Sequence, residues 1–163
     1  MAGRNDSTLI KNVSIFDGIS DTLITGKDVV LEGNKIKTII ESGDKEEKYD
    51  HVIDGGGGTL MPGLSDVHTH LALCQPPPVL LNIRRWDYIG AIMTNEAERY
   101  LMRGFTTVRD VGGPTLGLKQ AIDDGFATGP RIFSSGMGLA QTGGHGDMRN
   151  PNAQSKYFVG EHF

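Results

Sequence analysis

Two histidines one residue apart, His68 and His70, close an apolar run over residues 61–71 that Pro62 and Gly63 set off from the chain before it. The run reads as a strand ending in a metal site. Successive side chains in a strand point to opposite faces, so His68 and His70 share a face about 6–7 Å apart along the backbone. Imidazole is the commonest metal ligand and binds zinc at about 2.0–2.1 Å, so two rings leaning from one strand can converge on one ion. The same alternation puts Asp66 on the histidine face and Val67 and Thr69 on the other. Taken alone, the pair also fits histidines with surface or cross-strand roles on a half-buried strand.

The flanking sequence decides what kind of chain carries this strand. Residues 1–60 read as short strands: Leu9, Val13 and Ile15 alternate with polar neighbours, and residues 28–32 and 35–40 flank Gly33-Asn34, a two-residue hairpin signal. Residues 43–48 read as a solvated loop. Residues 49–54 read as a further strand, whose His51 is structural or exposed. Gly55 to Gly58 do not open a helix and lack the lysine of a phosphate loop, so they read as a tight crossover between two domains.

After His70 the period changes. Ile89, Ile92, Met93, Ala97, Tyr100 and Leu101 recur at helical spacing, with Gly104 as the stop, and Trp86 reads as an anchor of this helix in the core or as a lining of the loop above it. Residues 105–111 read as a strand, 115–124 as a helix and 131–135 as a third strand. Such alternation implies parallel strands joined by right-handed crossovers, in either a doubly wound sheet or a (β/α)8 barrel. Nucleotide folds carry glycines after the first strand, whereas this strand carries ligands at its C-terminal end, where barrel enzymes place their chemistry. The expected fold class is therefore α/β, with a small N-terminal β-sandwich-like domain at residues 1–60. The first three β/α units of a TIM (β/α)8 barrel, truncated, are expected at residues 61–163.

Composition excludes other classes. A formal net charge of −4 gives no reason to expect nucleic acid or an anionic membrane as partner. A single cysteine, Cys74, rules out an internal disulfide and any C-x-x-C site, and it reads either as a small packed side chain or as a neighbour of the metal. The first eight residues are polar and no stretch is long and apolar enough to span a bilayer, so a cytoplasmic protein is expected.

The segments VIDG at residues 52–55 and LMPGLSDVHTH at 60–70 resemble the first metal-binding strand of the amidohydrolase superfamily. GFTTVRDVGG at 104–113, GPRI at 129–132 and TGGHGD at 142–147 are similar to its Xaa-Pro dipeptidase-like and imidazolonepropionase-like branch, and the resemblance covers nearly the whole chain. It implies metal-assisted hydrolysis of an amide, with dipeptides or N-acyl amino acids as the small-molecule substrates and a cyclic amide or imidazolone as the alternative. In that family a divalent metal, usually one or two zinc ions, makes hydroxide available near neutral pH and polarises the scissile carbonyl. His68 and His70 match the first two ligands.

The family's carboxylated lysine, later histidines and proton-shuttling aspartate cannot be placed on this sequence, and a full barrel takes about 250 residues. The resemblance therefore implies the N-terminal portion of a longer hydrolase, inactive and poorly stable alone, for which a homo-oligomer at full length is compatible. A non-catalytic paralogue that binds metal weakly, or an interaction module, is the competing reading. His145, flanked by Gly143, Gly144, Gly146 and Asp147, is a candidate contact for a substrate carboxylate, carbonyl or oxyanion. A loop histidine held by Asp147 fits equally. Arg109 and Asp110 are expected to form a structural ion pair or a barrel-core contact.

Overall fold

The computed structural model describes residues 6–43, 48–75, 86–136, 138–141 and 144, and the chain divides into two compact units between Pro62 and Gly63. The first unit holds β1 (Ser7–Ile15), β2 (Ile24–Glu32), β3 (Lys35–Glu41) and β4 (His51–Leu60). They form one sheet in the order β3-β2-β1-β4, and a second layer, which a sandwich-like arrangement needs, is not among the described residues. β1 runs antiparallel to β2 and parallel to β4. Ile15, Val29 and Val30 are its buried apolar residues.

The expected hairpin is present, with Glu32 opposite Lys35 across Gly33-Asn34. Only Gly33 takes a positive φ, of 59°, which is the requirement of a type II′ turn with glycine first.

Gly55 to Gly58 are not a crossover between domains; they lie inside β4. Lys11 pairs with Asp54 and Val13 with Gly58, so Asn12 alone stands opposite Gly55, Gly56 and Gly57. This is a bulge that needs residues with positive φ: Asn12 at 56°, Gly56 at 61° and Gly57 at 79°. The Asp54 carboxylate accepts the Gly56 N–H and the Asn12 side-chain amide, each at 2.9 Å. The Gly56 bond first, then Asn12, holds its pKa below the ordinary aspartate value.

The second unit is mixed α/β. It runs β5 (Leu64–Thr69), a 3-10 turn (Leu71–Leu73), α1 (Trp86–Met102), β6 (Phe105–Asp110), α2 (Leu116–Asp123) and β7 (Arg131–Ser134). The strands lie in sequence order and are all parallel. Ile89, Met93 and Ala97 recur every four residues on α1, with Tyr100 next along the stripe. This stripe joins Leu71, Ala72, Val108, Leu118 and Ile132 in one core. Burial of each large aliphatic contributes roughly 1.5–3 kcal/mol. Gly104, at φ 94°, ends α1 as expected, and its carbonyl accepts the Leu64 N–H at 2.8 Å. The side chain of Trp86, expected to anchor α1, lies outside the described residues. No described helix is long and apolar enough to cross a membrane.

A Cβ built at Gly55 would lie 2.2 Å from the Val13 Cγ1 and 3.2 Å from the Asn12 carbonyl. Gly55→Val is therefore expected to destabilise the first unit by about 1–3 kcal/mol, the usual cost of overpacking. Urea denaturation followed by circular dichroism reads the change, and an unaltered midpoint would show that the close approach is not required.

Candidate metal centre

A second bulge lies in β5 beside the histidine pair. Asp66 pairs with Val108 and Thr69 with Asp110, leaving two residues on β5 against one on β6, so Val67 and His68 together stand opposite Arg109. The Asp66 carboxylate accepts the His68 N–H at 3.0 Å, which takes that donor out of the ladder, and the Arg109 Nε–H donates to the Val67 carbonyl at 2.8 Å.

The bulge corrects the alternation expected from sequence. Asp66 and Thr69 occupy the rows of Val108 and Asp110, both 0% exposed, on the side the helices cover. Thr69 is buried there and donates to the Tyr100 hydroxyl at 2.9 Å. Asp66 is therefore not on the histidine face. Val67 and Phe133, at 63% and 56% exposed, lie with Arg109 on the open face, to which the extra residue also returns His68 and His70.

The rings of His68 and His70 have centres 5.3 Å apart and meet edge to face at 77°. A tetrahedral metal at about 2.0–2.1 Å from a ring nitrogen sits about 3 Å from the ring centre, so two ligating rings are about 5 Å apart. The pair fits a shared ion. His70 has a defined tautomer as well: its Nδ1 lies 3.2 Å from the Gly112 carbonyl, which can only accept, so Nδ1 carries the proton and Nε2 keeps its lone pair for a metal. Among the described residues no group of three His, Cys, Asp or Glu side chains could hold a metal, and His68 and His70 stand together as a pair.

The residue behind His70 is Asp110, whose carboxylate is fully buried. Its Oδ2 accepts the Leu71 N–H at 2.7 Å, and its Oδ1 accepts the Gly112 N–H at 3.3 Å and the Thr115 hydroxyl at 3.2 Å. Of the two arrangements expected for Arg109 and Asp110, the ion pair is not what the structure has, while Asp110 is buried. Adjacent strand residues face opposite sides, so Arg109 is exposed and bonds the Val67 carbonyl while Asp110 turns under the helices. Thr115 precedes a helical pattern and would pass for an N-cap, but its hydroxyl does not cap α2; it reaches Asp110 and the Ser134 hydroxyl at 2.8 Å. Gly112, Thr115 and Ser134 carried no sequence signal of this connection.

The remaining candidates separate. His51 is exposed, with Nε2 4.0 Å from the Asp6 carboxylate. Cys74 is half-buried and its thiol points to the Ala72 carbonyl at 3.9 Å. His145 and Asp147 lie outside the described residues.

Parallel β/α units with an H-x-H pair at the C-terminal end of their first strand are the features on which this chain can be compared with known proteins. The model of the amidohydrolase family matches residues 59–161, and the chain belongs to that family. Ochratoxinase of Aspergillus niger is 35% identical over 99 residues, which cover 55% of this chain and 19% of that protein. The 5-methylthioadenosine/S-adenosylhomocysteine deaminase of Carboxydothermus hydrogenoformans is 40% identical over 124 residues, 74% of this chain and 27% of its own. The solved structure of a Xaa-Pro dipeptidase with methionine bound in its active site superposes with a TM-score of 0.78 at 32% identity, covering 94% of this chain and 39% of that one. The chain thus spans well under half the length of each of these relatives.

Burial raises the Cys74 thiol above its ordinary pKa, the first cause being desolvation. Less thiolate is then present at pH 7, and the thiolate is both the nucleophile and the metal-binding form. Alkylation of Cys74 by iodoacetamide in the folded protein is expected to be slower at pH 7 than that of a free thiol. It should accelerate only as pH rises past the ordinary thiol range; a rate at pH 7 matching a free thiol would contradict this.

Proposed function

We propose that this chain carries the first metal ligands of a metal-dependent hydrolase that cleaves amide C–N bonds, with dipeptides or N-acyl amino acids as substrates. The observation that carries the reading is the pair His68 and His70 on the open face at the C-terminal end of β5, with the His70 proton on Nδ1 and Nε2 free. In this reading residues 61–163 supply the first three β/α units of a (β/α)8 barrel, and residues 1–60 form an accessory β domain. The open face bearing Val67, Arg109 and Phe133 is then the barrel interior, which further strands would line.

His68 and His70 would hold a divalent metal, zinc by the all-nitrogen chemistry of the pair. When bound, the metal supplies Lewis acidity toward a water and the scissile carbonyl. The chain's own part is to present two imidazoles in fixed orientation on a strand end rather than on a free loop. His145 is proposed from the sequence as a contact for the substrate's carboxylate or carbonyl.

The dipeptidase likeness supports the substrate class because it runs over 94% of the chain at a TM-score of 0.78. The deaminase likeness favours a second reading, hydrolytic removal of an exocyclic amine from a purine, on 40% identity over 74% of the chain. A panel of Xaa-Pro dipeptides, N-acyl amino acids and adenosine derivatives, assayed with the intact protein, separates the two by product: a free amino acid in the first case, ammonia in the second.

Chelation is expected to abolish turnover and added zinc to restore it. His68→Asn and His70→Asn should each lower metal content and turnover by more than about 100-fold, since even substitutions around a ligand cost roughly 10–100-fold. Elemental analysis beside the activity assay checks both, and a variant with full metal occupancy and turnover would remove the histidine from the site.

A further inference from the structure

The hydrogen bonds around Asp110 close a circuit that includes the His70 ring. The carboxylate takes the Leu71 N–H on Oδ2 at 2.7 Å, which fixes the backbone immediately after His70. On Oδ1 it takes the Gly112 N–H at 3.3 Å, and the carbonyl of that same Gly112 receives the His70 Nδ1–H at 3.2 Å. One buried carboxylate thus holds His70 from two sides, through its own chain on one and through its imidazole's acceptor on the other.

The circuit extends to the third strand with a defined polarity. A carboxylate only accepts, so Thr115 gives its hydroxyl proton to Asp110 and must accept from Ser134, whose oxygen in turn receives the Gly136 N–H at 3.2 Å. The Gly113 N–H closes onto the Gly136 carbonyl at 3.1 Å. Every donor in this row points toward Asp110, and the ends of β5, β6 and β7 are joined through it.

We propose that Asp110 is the positioning residue of the metal centre, acting through Gly112 and Leu71 to hold His70 in the Nδ1–H tautomer with Nε2 aimed at the ion, with Thr115 and Ser134 as its supports. The inference rests on the reading of His70 as a metal ligand. Asp110 touches neither metal nor substrate. Its role is to keep the Gly112 carbonyl where it can receive one imidazole proton, so that a ligand nitrogen is presented without a search over tautomers and ring orientations.

The first test needs no metal. In the intact, metal-stripped protein labelled with 15N-histidine, the His70 nitrogens are expected to report protonation at Nδ1, and Asp110→Asn should turn this into a mixture of tautomers. A parent protein with its His70 proton on Nε2 would overturn the proposal. Chelator competition should then show a zinc affinity about 10–100-fold weaker in Asp110→Asn, and the visible spectrum of the cobalt-substituted variant should change in band position and intensity.

Ile132→Val, a buried change outside the circuit, should leave zinc affinity and the cobalt spectrum as in the parent; an equal loss there would reduce Asp110 to a general stabiliser and overturn the proposal. Where Asp110→Asn does not fold, Thr115→Val is expected to weaken zinc several-fold and Thr115→Ser to restore it. Parent-like affinity in both Asp110→Asn and Thr115→Val, with zinc lost in His70→Asn, overturns the positioning role alone. Zinc retained in His70→Asn overturns the ligand reading instead, a separate result.

Discussion

A carboxylate with no access to water is the constraint on which the second unit turns. Burying a charge without partners is expensive, and the usual remedy is several hydrogen bonds to the charged form. Asp110 meets this by accepting from Leu71, Gly112 and Thr115, three donors that belong to the loop after β5, the loop after β6 and the start of α2. Satisfying the carboxylate therefore requires these segments to converge at one end of the sheet. Removing any one donor would leave part of a buried charge unsatisfied, so the segments are held as a set.

The same economy appears in both bulges. Asp54 accepts the Gly56 N–H and Asp66 accepts the His68 N–H, in each case two residues on. An aspartate that bonds its own backbone at that spacing offers the chain an alternative to the ladder, and the strand accommodates it by inserting residues. In β4 the insertion consumes glycines at positive φ. In β5 it separates Asp66 from the two histidines, which stay together on the open face on either side of the buried Thr69. The histidine pair is thus grouped as alternation groups it, and the irregular strand changes only whether Asp66 joins that face.

Much of the architecture was legible in the residues. The turn at Gly33-Asn34, the helical stripe of Ile89, Met93 and Ala97, the stop at Gly104 and the two later strands all follow from local periodicity and turn chemistry, which depend on neighbours a few positions away. The misreadings share a cause. Gly55 to Gly58 look like a connection because glycine runs punctuate chains, yet β1 supplies a partner strand on both sides of them. Arg109 and Asp110 look like an ion pair because they are adjacent and opposite in charge, yet adjacency in a strand sends them to opposite faces.

The sequence by itself determined that two imidazoles would stand together at the end of a strand and which elements would follow, because H-x-H spacing and hydrophobic period are local properties. Only the tertiary structure decided which side of the strand those imidazoles occupy, which nitrogen of His70 keeps its lone pair, and what holds the ring. The Gly112 carbonyl on the His70 ring lies 42 residues away in sequence, and the Asp110 carboxylate on the Leu71 N–H lies 39 away. Contacts of that range exist only once parallel strands have found their register, and here the register itself contains a bulge that no alternation rule predicts.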